Sequence, residues 1–419
     1  MRNFQGTYVN QPPINISGQS IPRTIPKPVS PLPVNAYAVC SAAGRGRKAT
    51  LEALRSRSGG LSENDFGQRP VQTYIGRVGG IEDEPLPEHL AHWDCRNNRL
   101  AWLGLRQDDF LDAVAAARKR YGPSRVAIVF GTSTSTIGAT EEAYCSLDGD
   151  QQFPPHLRYP ELHTPHSTGQ FLQVALQLTG ISLTIGTACS SSAKVFAEAE
   201  RLIRCGLADA AVVGGTDSLC GSVLFGFDSL DLISRDPCRP FDAARNGINL
   251  GEAAGFALVE RDGNGPRLLG YGETSDAHHM SSPHPQGLGA QQAIGDALAR
   301  AAISANSVDY INLHGTASRK NDEVEARLIA DLFEQHTLAS STKGWTGHTL
   351  GAAGILESII VLLALENGIA PGTLNSRTLD PVCGAQIRIE NSDADVRVGM
   401  NLSFGFGGSN CALLFGRGT

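Results

Sequence analysis

Along most of the chain, short unbroken apolar runs alternate with stretches whose apolar residues recur at i, i+3/i+4 and i+7. The first pattern suits a strand buried on both faces, the second a helix with one buried stripe. RVAIVFGTSTS (Arg125–Ser135), LADAAVVGGTDS (Leu207–Ser218) and AAGFALVE (Ala253–Glu260) are of the first kind. Further on, VDYINLHGTAS (Val308–Ser318) is a predicted strand running into a histidine loop. VGMNLSFGFGGSNCALLF (Val398–Phe415) is a predicted hairpin about a glycine-rich turn. Strands alternating with helices imply a layered α/β fold.

The pattern also repeats. Cys189 precedes a predicted helix carrying Val195, Phe196, Ala199, Leu202 and Ile203, which ends near Gly206. His348 precedes one carrying Ile355, Ile359, Leu362 and Leu363, which ends near Gly368. FGTSTS in the first half echoes LHGTAS in the second. Two similar halves, each offering a functional group where a strand meets a helix, place the expected site between them. The expected boundaries are an N-terminal arm over 1–33, a first half over 34–262 and a second over 263–419. The arm holds seven of the 22 prolines and reads as an extended segment without a core of its own.

Composition narrows the function. Hydrophobic residues make up 41% and charged residues 18% of the 419, ample for a large core. The net charge of -7 argues against a nucleic-acid partner, though not against a local basic patch facing an acidic protein. The apolar run IIVLLAL (Ile359–Leu365) falls short of the ~20 residues that a membrane helix needs, and the first residues lack an apolar leader. Neither a membrane span nor a secretory signal is expected. The nine cysteines show no CxxC spacing, so zinc and disulfides are not suggested and a reducing cytoplasm is the expected setting.

In TIGTACSSSAK (Thr184–Lys194), Cys189 lies between a strand-like run and a predicted helix start. The partial positive charge of a helix N-terminus favours a thiolate, the reactive form. Small neighbours (Gly186, Ala188, Ser190, Ser191) let a carbonyl approach and leave the Cys189 N–H free for an oxyanion. NLHGTASRKND places His314 at a strand end. STKGWTGHTLGAAG places His348 at a helix start with Lys343 five residues earlier. NLSFGFGGSN supplies a turn able to expose backbone N–H groups. GFGGSN does not match a dinucleotide fingerprint, and the HxxH spacing of His163 and His166 lacks a third metal ligand.

These motifs, with PCRPFDAARNGINLGEAAG and SDAHHMSSP, give the chain from about Val34 to Phe415 its likeness to a family. It resembles the β-ketoacyl-acyl carrier protein synthases of the ketosynthase I/II type, condensing enzymes with the thiolase fold. The resemblance implies a five-layer αβαβα architecture of two related halves, each thiolase-like. It implies decarboxylative condensation of an acyl-enzyme thioester with a malonyl thioester, in fatty-acid, polyene or polyketide-type synthesis. The substrates would ride on the phosphopantetheine arm of acyl carrier protein, with no cofactor and no metal. The partners implied are acyl carrier protein and either a second copy or a ketosynthase-like subunit.

By the same resemblance, Cys189, His314 and His348 form the catalytic set, and Lys343 pairs with Glu357 to tune the histidines. The N–H groups of Cys189 and Phe406 form the oxyanion hole. Thr316 and Ser318 match a Thr-x-Thr pair that contacts the malonyl carboxylate, with serine in the second place. Phe406 matches a gating phenylalanine, hinged by Gly405, Gly407 and Gly408. Asp322 and Glu325 are expected to be structural. His278, His279 and His284 are expected to line the entrance, and Arg118, Lys119 and Arg120 to be solvated charge. GTSTSTIGATEEAY and SDAHHM resemble the ketosynthases of aryl-polyene clusters, which would make the acyl chain unsaturated or aromatic. The alternative is a chain-length partner subunit with little condensing activity, although such partners typically lose the cysteine. A thiolase would need a second catalytic cysteine, for which Cys383 and Cys411 are not placed. A priming ketosynthase would carry asparagine where His348 stands.

Overall fold

The computed structural model describes residues 24–418. The apolar runs become two sets of five strands. The first comprises Leu32–Ser41, Val126–Gly131, Ser182–Ile185, Ala210–Asp217 and Ala253–Glu260. The second comprises Arg267–Ser275, Tyr310–Asn312, Leu338–Ser340, Val398–Gly405 and Ser409–Gly416. Counted along the chain within each set, both lie in the spatial order 3-2-4-5-1. In both, the second strand runs parallel to the third and fourth, and the fifth is antiparallel to the fourth and first. The sets join where Leu32 and Pro33 stand opposite Leu268 and Arg267. That pairing draws the last two residues of the expected arm into the sheet. Most of the arm, residues 1–23, lies outside the described residues.

Side chains alternate across each strand, and here both faces are covered. In Ala210–Asp217, Ala211 and Val213 enter the central core while Ala210 and Val212 enter an outer one. Hence the stretch Ala210–Val213 is apolar throughout, with no polar alternation. The central layer is the pair of helices Ser191–Arg204 and Ala353–Asn367. Val195, Phe196, Ile355 and Ile359 pack there between Val213 and Ala257 of one set and Leu413 and Phe415 of the other. Helices Arg96–Leu105, Phe110–Tyr121 and Ser167–Leu176 cover the first set, and Leu288–Ala301 and Arg319–Leu332 cover the second. The result is the five-layer α/β architecture expected of a thiolase-like fold.

Every residue from Ala353 to Leu365 is buried, because a helix enclosed by two sheets needs no polar face. With the turn before it, Leu350–Asn367 is long and apolar enough to cross a membrane, yet 89% of it is buried inside the protein. It is a core helix, longer than the IIVLLAL run alone suggests. Gly368, at φ 63°, ends it in the left-handed conformation that favours glycine.

Candidate active site

Five residues separate strand Ser182–Ile185 from the helix Ser191–Arg204. Ala188, at φ 51°, turns the chain sharply between them. Thr187 N–H donates to Ser191 Oγ at 2.9 Å, and that hydroxyl donates to the Ala188 carbonyl at 2.6 Å. Cys189 sits in this turn, just before the helix cap, and is 4% exposed. The expected thiolate does not follow. Burial pushes the Cys189 thiol up to about 11, while the Lys343 charge and the N–H groups of Phe406 and Cys189 pull it down. In so dry a place, desolvation of the anion outweighs the helix-end field.

His314 follows strand Tyr310–Asn312. Both carboxylate oxygens of the buried Glu325 hold its loop, accepting from His314 N at 2.7 Å and Gly315 N at 2.8 Å. The matching loop of the other half is held in the same manner. Asp217 accepts from Thr132 Oγ1 at 2.6 Å and from Ser133 and Thr134 N–H at 2.9 Å each. His348 hangs on backbone bonds to the segment 249–251: its N–H donates to Asn249 O at 2.7 Å, and Gly251 N–H donates to its carbonyl at 3.1 Å. It precedes a 3-10 turn, Leu350–Ala352, and not the α-helix directly. Gly351 in that turn packs on the Asp217 loop so closely that a Cβ would meet Ser133 N at 2.5 Å.

These supports bring three side chains together. Cys189 Sγ lies 3.0 Å from His348 Nε2. The rings of His314 and His348 are 5.4 Å apart at 85°, and one ligand atom from each of the three residues lies within 4.8 Å of the others. Burial, then the Lys343 charge, holds both histidines well below the usual imidazole range, so both are neutral at pH 7. Lys343, 1% exposed, opens the short helix Lys343–Thr346. Its Nζ lies 2.5 Å from Glu357 Oε1, 2.5 Å from the His314 carbonyl and 3.5 Å from His314 Nδ1. Burial pushes Glu357 upward and Lys343 opposes it. An ammonium beside His314 Nδ1 also disfavours a metal ion among the three side chains.

The three residues line a cavity of about 480 Å³, together with Thr316, Ser318 and Phe406. Thr316 Oγ1 and Ser318 Oγ lie 2.9 Å apart. The Phe406 ring stacks on Phe227, centroids 5.5 Å apart at 24°. Gly407 and Gly408 take φ 80° and 78°. Gly405 is extended, and its requirement is different: a Cβ there would lie 2.6 Å from the Thr187 carbonyl oxygen.

Residues 109–264 match the family model for the N-terminal domain of β-ketoacyl synthases, and residues 267–377 the model for the C-terminal domain. Nodulation protein E of Rhizobium meliloti is 34% identical over 360 residues, 81% of this chain and 88% of that protein. The chain belongs to the β-ketoacyl synthase family. As such it is an acyltransferase, a condensing enzyme with a Cys-His-His set. The mitochondrial 3-oxoacyl-[acyl-carrier-protein] synthase of Arabidopsis thaliana is 39% identical over 252 residues, and that match spans about half of each protein (55%). Among solved structures, a ketosynthase from Xenorhabdus doucetiae, in complex with its chain length factor, superposes with a TM-score of 0.85. It is 34% identical, over 92% of this chain and 98% of that one.

Other expectations for this β-ketoacyl synthase meet mixed outcomes. The 276–284 loop borders the cavity through Asp276, Ser281, Ser282 and Pro283. His278 and His279 are exposed, and His284 instead packs edge-on against His278. None of the three lines the cavity, because the loop turns its small residues inward. His163 bonds Thr140 Oγ1 and the Leu157 carbonyl, and His166 bonds Thr184 Oγ1, so both tie loops together. Arg118 donates to Leu176 O and Gln177 Oε1, and Arg120 lies 3.5 Å from Glu260. Sequence reasoning missed Asp217, Phe227, Phe404, Arg319 and Lys320. The last two directly follow the Thr316–Ser318 pair and line the cavity mouth, so adjacency to that motif was the available signal.

Proposed function

We propose that the protein condenses a carrier-bound acyl thioester with a malonyl thioester, and that Cys189, His314 and His348 perform the chemistry. The observation that carries this reading is the 3.0 Å approach of Cys189 Sγ to His348 Nε2, with neutral His314 facing the same cavity. At rest the nucleophile is a thiol. Its proton passes to His348 as Sγ attacks the acyl carbonyl, when the N–H groups of Cys189 and Phe406 take up the developing oxyanion charge. The carrier's thiol leaves with that proton, and the acyl group stays on Cys189.

The second half-reaction uses the histidines as donors. Lys343 occupies the Nδ1 side of His314, so Nε2 carries the proton that faces the cavity. Among the described residues, His348 Nδ1 is buried without a hydrogen-bond partner, so no acceptor fixes the ring proton on that nitrogen. The same ring can therefore accept from the thiol and later donate to an oxygen. The malonyl carboxylate, met by Thr316 and Ser318, leaves as carbon dioxide, and the electron pair moves into an enolate held by both histidines. Its carbon attacks the acyl-enzyme, the oxyanion hole serves again, and Cys189 departs as a thiolate that takes up a proton from water, the first proton having left with the carrier's thiol.

The natural acyl chain is proposed to be a polyene or related unsaturated chain, and the natural assembly a dimer with a second copy or a chain-length partner. The acyl chain is supported by the resemblance of GTSTSTIGATEEAY and SDAHHM to ketosynthases of aryl-polyene clusters, and the assembly by the 34% likeness to a ketosynthase solved with its chain length factor. Retention of Cys189 favours the condensing subunit over the partner. A reducing cytoplasm suits free thiols. Incubation with a panel of acyl-loaded carrier proteins, followed by intact and peptide mass spectrometry, tests the reading. An adduct on the Cys189 peptide, lost in Cys189→Ala, is expected; an adduct on Cys205 or Cys220 would refute it.

A further inference from the structure

Lys194 lies on the helix that follows Cys189 and is partly buried. The ion pairs of this helix are made by Arg201 and Arg204, with Glu198, Glu273 and Glu200. Lys194 is directed elsewhere: its Nζ donates to Ser409 Oγ at 2.7 Å. Ser409 directly follows the Phe406–Gly408 turn. Ser409 Oγ also lies 3.2 Å from Ser190 Oγ, next to the nucleophile, and Ser190 Oγ lies 2.9 Å from the Thr187 carbonyl oxygen. At the other end of the turn, Gly405 sits so close to Thr187 and Ser190 that no Cβ fits. The two oxyanion donors thus come from distant chain segments that meet at one polar junction, and Lys194 brings that junction its only ammonium among the contacts named.

We propose that Lys194 is a positioning residue for the oxyanion hole: through Ser409 it sets the N–H of Phe406 against the N–H of Cys189. It does not touch substrate. The inference rests on the assignment of those two amides under the proposed function. Its physical basis is that preorganised donors act only when aimed at the position of the charge, and a misplacement of ~1 Å costs about a hundredfold in rate. A charged donor holds a hydroxyl more firmly than a neutral one does.

This role separates two reactions. Acyl transfer to Cys189 passes through the tetrahedral oxyanion. Malonyl decarboxylation passes through an enolate held by His314 and His348, away from the Lys194 junction. The full-length protein and its Lys194→Met, Lys194→Arg and Ser409→Ala variants would be given hexanoyl-loaded and malonyl-loaded acyl carrier protein separately. Acyl-enzyme formation is followed by mass and decarboxylation by released carbon dioxide. Lys194→Met and Ser409→Ala should each slow acyl transfer about 10- to 100-fold, leave decarboxylation within about twofold, and combine without adding. Lys194→Arg should recover most of the rate. Equal losses in both reactions, or no loss in acyl transfer, would overturn the proposal; so would additive effects in the double variant. Melting curves on each variant separate a shifted turn from unfolding, since unfolding lowers both rates together. Wild-type protein that performs neither reaction would instead overturn the functional reading itself, and the inference with it.

Discussion

Glu325 holds His314 by its backbone: the two carboxylate oxygens accept from the N–H of His314 and of Gly315 at 2.7 and 2.8 Å. Burial pushes Glu325 up to about 8. All three groups at its oxygens are nevertheless donors, Asn321 Nδ2 being the third at 3.3 Å, and a carboxylate satisfies them better than an acid does. Replacement by glutamine turns an amide NH2 toward a backbone N–H. Glu325→Gln should destabilise the fold by about 1–3 kcal/mol and lower decarboxylation through displacement of His314. A thermal melt beside a carbon dioxide release assay checks this, and an unchanged melting temperature would contradict it.

The Cys189 thiol is held up to about 11. Its folded value lies above that of an ordinary thiol, so the protonated form persists as pH rises past ~8.5. Alkylation by iodoacetamide should therefore climb late, towards pH 11, while a small free thiol in the same buffers climbs near 8.5. A labelling midpoint at or below 8.5 would restore the thiolate expected from the helix end.

Lys343 and Glu357 form a pair whose side chains are 1% and 3% exposed. Lys343→Met leaves the glutamate without its partner, at a cost of about 3–5 kcal/mol. Adding Glu357→Leu should return most of that stability. Decarboxylation should stay low in the double variant, because the ammonium beside His314 is gone while carrier binding persists. The pH profile gives a second reading. Burial and then Lys343 hold His314 below its ordinary value, so wild-type decarboxylation stays level as pH falls to about 6.5. Removing the cation raises His314, and the acid limb should move to higher pH. Weakened carrier affinity with unchanged decarboxylation would argue instead for a docking role.

Phe406 is only half-buried and stacks on Phe227. As the proposed gate, its loss should leave Cys189 open to a small alkylating probe while selectivity among acyl chains falls and condensation slows. Phe406→Ala should cost well under the ~3–5 kcal/mol of a fully buried aromatic. A large drop in melting temperature with unchanged acyl selectivity would mark the ring as packing alone.

Much of this was legible in the chain itself. Unbroken apolar runs such as AAVV identified strands covered on both faces. The i, i+3/i+4 spacing after Cys189 and His348 identified the central helices, because a buried surface dictates periodicity locally. Cys189, His314, His348 and Lys343 stood out through their short motifs. Tertiary structure alone decided what depends on distant neighbours. The state of the Cys189 thiol turned on depth of burial, which outweighed the helix end visible in TACSSS. That Asp217, at the end of a strand, and Glu325, on the helix Arg319–Leu332, each grip the loop after an equivalent strand is visible only in the fold. The clasp of Lys194 on Ser409 joins segments that only the packing of one half against the other brings within hydrogen-bond range. A sequence carries its own periodicity, but desolvation and the meeting of remote groups are properties of the folded chain.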